Sequence, residues 1–107
     1  MATVAFTEQA LNDINDIADY ISHDSLHFAR MQAEKIFNRA ILLETHPLIG
    51  RVVPELSIKS IREVIEGNYR VIYRIVRKDL IHILTVHHSR RLLKRSALKR
   101  IIKGSGT

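Results

Sequence analysis

The stretch Ser60–Arg91, SIREVIEGNYRVIYRIVRKDLIHILTVHHSRR, decides the fold because it holds three runs rich in β-branched and aromatic residues, separated by two tight turns. Gly67-Asn68 is a two-residue hairpin signal, and Lys78-Asp79 reverses the chain again. The stretch therefore predicts three consecutive antiparallel strands, at Ile61–Glu66, Tyr69–Arg77 and Leu80–His87.

Two amphipathic helices are predicted before this sheet, over residues 8–46. Apolar residues recur at helical spacing in both halves of that range. Thr7 is suited to cap the first helix, and Asp24 or Ser25 the second. The second helix must end before Pro47, because the residue preceding a proline is pushed out of the helical region. We expect a helical hairpin, preceded by a short β-type run at residues 3–6 and followed by a proline-bounded loop.

The C-terminal segment after Ser89 places leucines and isoleucines at helical spacing among cations, which predicts a basic helix. The fold class is therefore α+β, a helical hairpin packed on a small antiparallel sheet with a basic C-terminal helix. At 107 residues the chain forms one domain, predicted to span residues 1–103 with a flexible tail at 104–107.

Charge is divided unevenly along the chain. Residues 1–50 contain three cations and seven acids, a formal charge of −4, whereas residues 51–107 contain fourteen cations and four acids, a formal charge of +10. The basic half should attract phosphates or an acidic protein. The sequence has no cysteine, which excludes disulfides and thiolate metal sites. With no apolar run near the length of about 20 residues that spans a bilayer, and no signal-peptide pattern, we expect a cytoplasmic protein without a membrane partner.

The candidate site lies on the predicted sheet. Arg70 and Arg74 share one strand face, where they either contact phosphates or pair with glutamates across the sheet, and we favour function for Arg70 and pairing for Arg74. His87 and His88 point to opposite faces, so at most one can join Arg70, and His88 is the expected one. Glu55 is either a base beside the strands or a lone surface carboxylate. No metal site is expected, because adjacent strand residues cannot chelate from one face.

With these pieces placed, the chain resembles the RelE/ParE superfamily of toxins from type II toxin–antitoxin modules. The resemblance spans residues 3–95 and is carried by four segments, His46–Arg51 (HPLIGR), Ile61–Val64 (IREV), Asn68–Tyr73 (NYRVIY) and Ile83–Arg91 (ILTVHHSRR).

The superfamily implies two alternative activities, since RelE-like members cut mRNA in the ribosomal A site and ParE-like members poison DNA gyrase. In the RNase branch, an arginine at the position of Arg70 would stabilise phosphate charge, while His88 or Glu55 would move a proton. The reaction would be metal-free, need no cofactor, and begin with attack of a 2′-hydroxyl on the adjacent phosphorus. Independently of the resemblance, the charge of the basic half predicts nucleic-acid or target binding by a set of further cations, Arg51, Arg62, Arg74, Arg90, Arg91 and Arg95.

Arg70 favours the RNase branch, because gyrase poisons commonly carry an apolar residue there. Ribosome-associated mRNA cleavage is therefore the activity we expect, and ParE-like poisoning of gyrase is the alternative. Ser89, where YoeB-like members have a tyrosine, and the long hairpin favour the ParE branch. A third alternative is an inactive toxin that only binds its antitoxin. In every case the resemblance implies a cognate antitoxin, and the +10 half predicts that its binding segment is acidic and partly disordered.

Overall fold

The helices and strands expected from the sequence occur in a computed structural model that describes residues 1–104. In chain order the elements are β1 Thr3–Phe6, α1 Glu8–Ser22, α2 Leu26–Ile41, a 3-10 turn Leu42–Glu44, β2 Arg51–Val52, β3 Ile61–Glu66, β4 Tyr69–Arg77, β5 Leu80–His88 and α3 Arg95–Gly104. Gly104, assigned to a flexible tail above, is the last residue of α3, and the rest of that predicted tail lies outside the described residues.

The predicted antiparallel arrangement of β3, β4 and β5 is confirmed, but the sheet is larger and mixed. Its strand order is β1-β5-β4-β3-β2, and β1 pairs with β5 in parallel. The sheet also contains β2, which consists of two residues of the predicted loop and pairs antiparallel with β3. The β3–β4 turn works as expected, because Gly67 adopts a φ of +57°, which L side chains rarely adopt.

The helical hairpin is also confirmed, with caps at the expected residues. Thr7 Oγ1 accepts a hydrogen bond from the Ala10 N–H, and Ser25 Oγ accepts one from the Phe28 N–H, both at 3.1 Å. Each hydroxyl satisfies an N–H that the first helical turn would leave unpaired.

The sheet is covered on both faces, which fixes where each strand residue points. The hairpin face buries Val71 and Tyr73 against α1 and α2. The α3 face buries Ile72 with Leu98 of α3. Because side chains alternate along a strand, Arg70 projects to the same side as Ile72, the α3 face. Within residues 1–104, no helix is both long and apolar enough to cross a membrane.

Candidate functional site

Arg70 is buried, and carboxylate groups bind its guanidinium group. Its side chain is 8% exposed. Nη1 and Nη2 donate to the two carboxylate oxygens of Glu55 at 2.7 and 2.8 Å, and Nε donates to Glu63 Oε1 at 2.7 Å. The pair with Glu55 is the bidentate fork that guanidinium forms best with a carboxylate. Each guanidinium nitrogen therefore has a carboxylate partner.

Glu63 links Arg70 to a second arginine. The Glu63 side chain is fully buried, and its Oε2 accepts a hydrogen bond from Arg51 Nε at 2.6 Å, whereas the Arg51 side chain is 65% exposed. We call Arg51, Glu55, Glu63 and Arg70 the Arg70 cluster. Its two positive and two negative charges sum to zero, and such a network is stable only while each buried charge keeps its partner.

The cluster is assembled from three parts of the chain. Arg51 lies in β2, whose register places it directly opposite Glu63 of β3. Glu55 follows in the turn after β2, where the chain folds over the α3 face with Val53 and Leu56 buried beneath it. The loop therefore brings Glu55 over the end of β4 and covers Arg70.

Electrostatics inside the cluster keep Glu55 and Arg70 charged at neutral pH. The hydrogen bond from Arg70 holds the pKa of the Glu55 carboxyl below its ordinary value, against the opposing effect of burial. The same hydrogen bond raises the pKa of the Arg70 guanidinium, again against burial. A carboxylate with a lowered pKa is a weaker base, and a guanidinium with two carboxylate partners has no free edge for a phosphate.

These contacts change the expected role of Arg70. The sequence suggested that Arg70 lies at the end of a strand and is open to a ligand. In the structure Arg70 is only 7% exposed. Glu55, which could have been a lone surface carboxylate, is instead its bidentate partner. The sequence offered pairing with glutamates as the alternative to phosphate contact for Arg70. Glutamates do pair with Arg70, which is buried in both pairs.

The histidine that shares a side of the sheet with Arg70 is His87, so the expected pairing with His88 is wrong. In the β4–β5 register Arg70 lies opposite His87, and Tyr69 lies opposite His88. Directly opposed residues of antiparallel strands project from the same side. The His88 ring packs edge-on against the Tyr69 ring, with centroids 5.5 Å apart.

His87 belongs to a chain of hydrogen bonds that reaches α1. Asp13 accepts hydrogen bonds from the Thr85 hydroxyl and, at 3.0 Å, from the Val86 N–H. His87 Nε2 lies 3.0 Å from Thr85 Oγ1, and Arg91 Nη1 lies 3.4 Å from His87 Nδ1. We call these contacts the Asp13–Arg91 relay.

The relay fixes which ring nitrogen of His87 carries the proton. The single proton of the Thr85 hydroxyl is given to the Asp13 carboxylate, which can only accept. His87 Nε2–H must then donate to Thr85, leaving the Nδ1 lone pair toward Arg91. Burial lowers the pKa of His87, and Arg91 and Arg70 add to that effect while Asp13 opposes it. The imidazole is therefore neutral at pH 7.

Comparison with known proteins identifies the family. The family model described as ParE toxin of type II toxin–antitoxin system, parDE, matches residues 4–93. The chain belongs to this toxin family. It is also 34% identical over 92 residues to Toxin RelE2 of Caulobacter vibrioides, an alignment covering 86% of this chain and all of the relative. The protein is thus a type II toxin–antitoxin toxin of the RelE/ParE superfamily.

Solved structures share the toxin fold at lower identity. A chromosomal ParDE toxin–antitoxin system from P. aeruginosa has a TM-score of 0.67 at 21% identity, covering 82% of this chain and 96% of that chain. The RelBE2 toxin–antitoxin complex from Mycobacterium tuberculosis has a TM-score of 0.60 at 24% identity, covering 81% of this chain and 96% of that chain. Similarity at this level establishes the α+β fold predicted for the toxin.

The other cations singled out from the sequence are dispersed over the toxin. Arg62 donates to the backbone carbonyls of Gly50 and Lys59, both at 3.0 Å, and so holds the loop that carries Arg51. Arg74 lies in β4 opposite His82, at a different level of the sheet from the Arg70 cluster.

Beyond β5 the predicted cations follow one exposed segment. Arg90, Arg91 and Arg95 are all exposed, and the Arg90 N–H donates to His88 Nδ1 at 3.1 Å. His88 is thereby engaged in the turn that leads toward α3. Arg91 alone of the three reaches the relay.

Sequence reasoning missed Asp13 and Thr85. Asp13 lies on α1 and was not singled out from the sequence, yet it caps the edge of β5 beyond the last β1–β5 pair, Phe6 with Ile83. The relay borders a groove of about 480 Å³ that Tyr20 and Tyr69 also line. Within residues 1–104, no group of three or more histidine or acidic side chains is arranged to hold a metal ion.

Proposed function

We propose that this toxin arrests growth by poisoning DNA gyrase, as the ParE-like branch does, and that it catalyses no reaction of its own. One observation carries the proposal, the burial of Arg70 between Glu55 and Glu63. The RNase alternative needs a cation that can approach a phosphate as charge develops on it. Releasing Arg70 for that purpose would leave the fully buried Glu63 side chain with only the exposed Arg51 as a partner.

We further propose a cognate antitoxin whose acidic segment covers the basic half of the toxin. The formal charge of +10 on residues 51–107 supports an acidic partner. The structures that share this fold are described as toxin–antitoxin systems, which agrees with such a partner. The proposed targets lie in the cytoplasm, where we expect the toxin to act.

The proposal is tested by inducing the toxin in a bacterial host and following DNA topology and mRNA integrity in the same culture. We expect loss of plasmid supercoiling or accumulation of gyrase-dependent DNA breaks before any change in mRNA ends. Co-expression of the antitoxin is the control and should suppress both signals. Fresh cuts inside translated codons, with supercoiling unchanged, would contradict the proposal.

RelE-like mRNA cleavage is the second candidate, and the Asp13–Arg91 relay is the observation that favours it. His87 is neutral, has a fixed tautomer, and presents its Nδ1 lone pair beside the cation of Arg91. A general base and a phosphate-binding cation in that arrangement would suit RNA cleavage, provided that Arg91 moves off Nδ1. The candidate therefore relies on His87 and Arg91, and not on the pair His88 and Arg70.

A further inference from the structure

The C-terminal helix α3 is fixed to the body of the toxin through one side only. Leu98 is 1% exposed and packs in the α3-face core with Leu93, Ile101 and Ile102 at its margin. Because these residues face the core, the opposite side of α3 faces outward.

That outward side of α3 is a continuous cationic stripe. Ser96, Lys99, Arg100 and Lys103 stand at positions i, i+3, i+4 and i+7, the spacing of one helix face, and all four are exposed. Lys94 and Arg95 extend the stripe at its start and are also exposed. We call Lys94, Arg95, Lys99, Arg100 and Lys103 the α3 stripe.

Nothing in the local sequence balances this charge. The chain contains no aspartate or glutamate after Asp79, so neither β5 nor α3 supplies an acid. Glu8, at the start of α1, borders the groove that Arg100 lines. Arg95 with Lys99, and Lys99 with Lys103, are like-charged i, i+4 pairs, which destabilise a helix. One cation in the last turn is enough to interact favourably with the helix dipole. The dipole therefore does not explain why α3 carries several cations.

We infer that the α3 stripe binds the phosphate backbone of duplex DNA. The inference extends the proposed function, because a toxin that acts on gyrase meets its target while gyrase holds duplex DNA. Lys99 and Lys103 are about 6 Å apart along the helix axis. Phosphates of one DNA strand are spaced at about 3.4 Å along the duplex axis, so a helix lying along that axis would set the two lysines about two phosphates apart. The packing of Leu98 in the α3-face core keeps these cations on the outward side of the helix.

The test measures binding of the full-length, antitoxin-free toxin to a labelled duplex of mixed sequence, by fluorescence anisotropy over a range of salt concentrations and without gyrase. The test variant is Lys99→Gln, Arg100→Gln, Lys103→Gln. Glutamine keeps helix propensity close to that of the residues it replaces. The matched control, Lys35→Gln, Lys59→Gln, Lys78→Gln, removes the same charge from exposed positions elsewhere.

We expect the wild-type affinity to fall steeply with salt. Each phosphate contact contributes about 0.9 to the slope of log affinity against log salt concentration, so the α3 variant should lose about 2 to 3 units of slope. Its affinity at moderate salt should fall more than about tenfold, whereas the control should keep the wild-type slope. If the α3 variant does not fold, as judged by circular dichroism, hydrogen exchange on the wild type decides, and α3 should gain protection when DNA is added.

Several results would overturn the inference. Equal slopes for the α3 variant and the control would mean that only net charge matters. An α3 variant that loses antitoxin affinity while keeping wild-type DNA binding would assign the stripe to an acidic protein. Tighter binding of single-stranded RNA of equal length than of duplex DNA would assign it to RNA. Because gyrase is absent, a positive result stands even if gyrase poisoning fails, and a negative one leaves gyrase poisoning untouched.

Discussion

Removing the Arg70 side chain should destabilise the toxin strongly. Arg70→Ala leaves Glu63, whose side chain is fully buried, with one mostly exposed partner, and leaves Glu55, at 25% side-chain exposure, without its bidentate partner. Breaking a buried ion pair by deleting one partner costs about 3–5 kcal/mol. Because Arg51 remains beside Glu63 and water reaches Glu55, we expect a loss of unfolding free energy of about 3 kcal/mol. In a domain of this size the melting temperature should fall by about 12–24 °C.

Urea unfolding of the antitoxin-free toxin, followed by circular dichroism, measures this loss. Arg51→Ala is the matched control, since it removes the other arginine on Glu63 from a position that is 65% exposed and should cost less than about 1 kcal/mol. A double replacement, Glu63→Leu with Arg70→Met, removes both buried charges and should regain most of the lost stability. An Arg70→Ala toxin as stable as the wild type, or as stable as Arg51→Ala, would refute a structural role for the cluster.

Three further predictions concern the relay and the loop. Thr85→Val should lose about 1–3 kcal/mol in urea unfolding, because Asp13 and His87 each lose a buried partner, while Thr85→Ser should stay near wild type; equal losses would contradict the relay. Because burial lowers the pKa of folded His87 below its ordinary value of 6.5, its contribution to stability is complete above pH 6.5 and is lost as pH falls through the folded pKa. Unfolding measured from pH 7.5 to 5 should therefore show a shallower pH dependence for His87→Gln than for wild type, and identical profiles would refute this. Gly50→Ala should lower the melting temperature markedly, since its Cβ would lie 2.5 Å from a backbone oxygen and 2.6 Å from a tyrosine hydroxyl; Gly67→Asn is the tolerated control, and equal effects would exclude this close packing.

The fold was largely predictable because its signals are local. The Gly67-Asn68 turn and the alternation around it define β3 and β4, and Thr7 and Ser25 mark the helix starts. The parallel pairing of β1 with β5 was not predictable, because a four-residue strand carries no register information and its partner lies far along the chain.

The site was predictable only in part, because its contacts join distant segments. Strand alternation places Arg70 on a defined face, but its burial depends on how the loop folds Glu55 back over the sheet. The His87 register was available from the sequence, since a two-residue turn at Lys78-Asp79 sets Arg70 opposite His87. The structure keeps that pairing because two irregularities in the β4–β5 register cancel. The contact of Asp13 with Thr85 spans 72 residues and has no local signal.

We propose that Arg70 stabilises the fold and performs no chemistry, so that the toxin acts on gyrase without it. The most direct measurement adds purified toxin to purified gyrase and supercoiled plasmid, comparing wild type with the Glu63→Leu, Arg70→Met double variant at matched folded concentration. We predict that both proteins trap cleaved DNA or block supercoiling to a similar extent. A wild-type toxin that leaves gyrase unaffected but cuts mRNA on translating ribosomes, with the double variant folded and inactive in that reaction, would contradict the account.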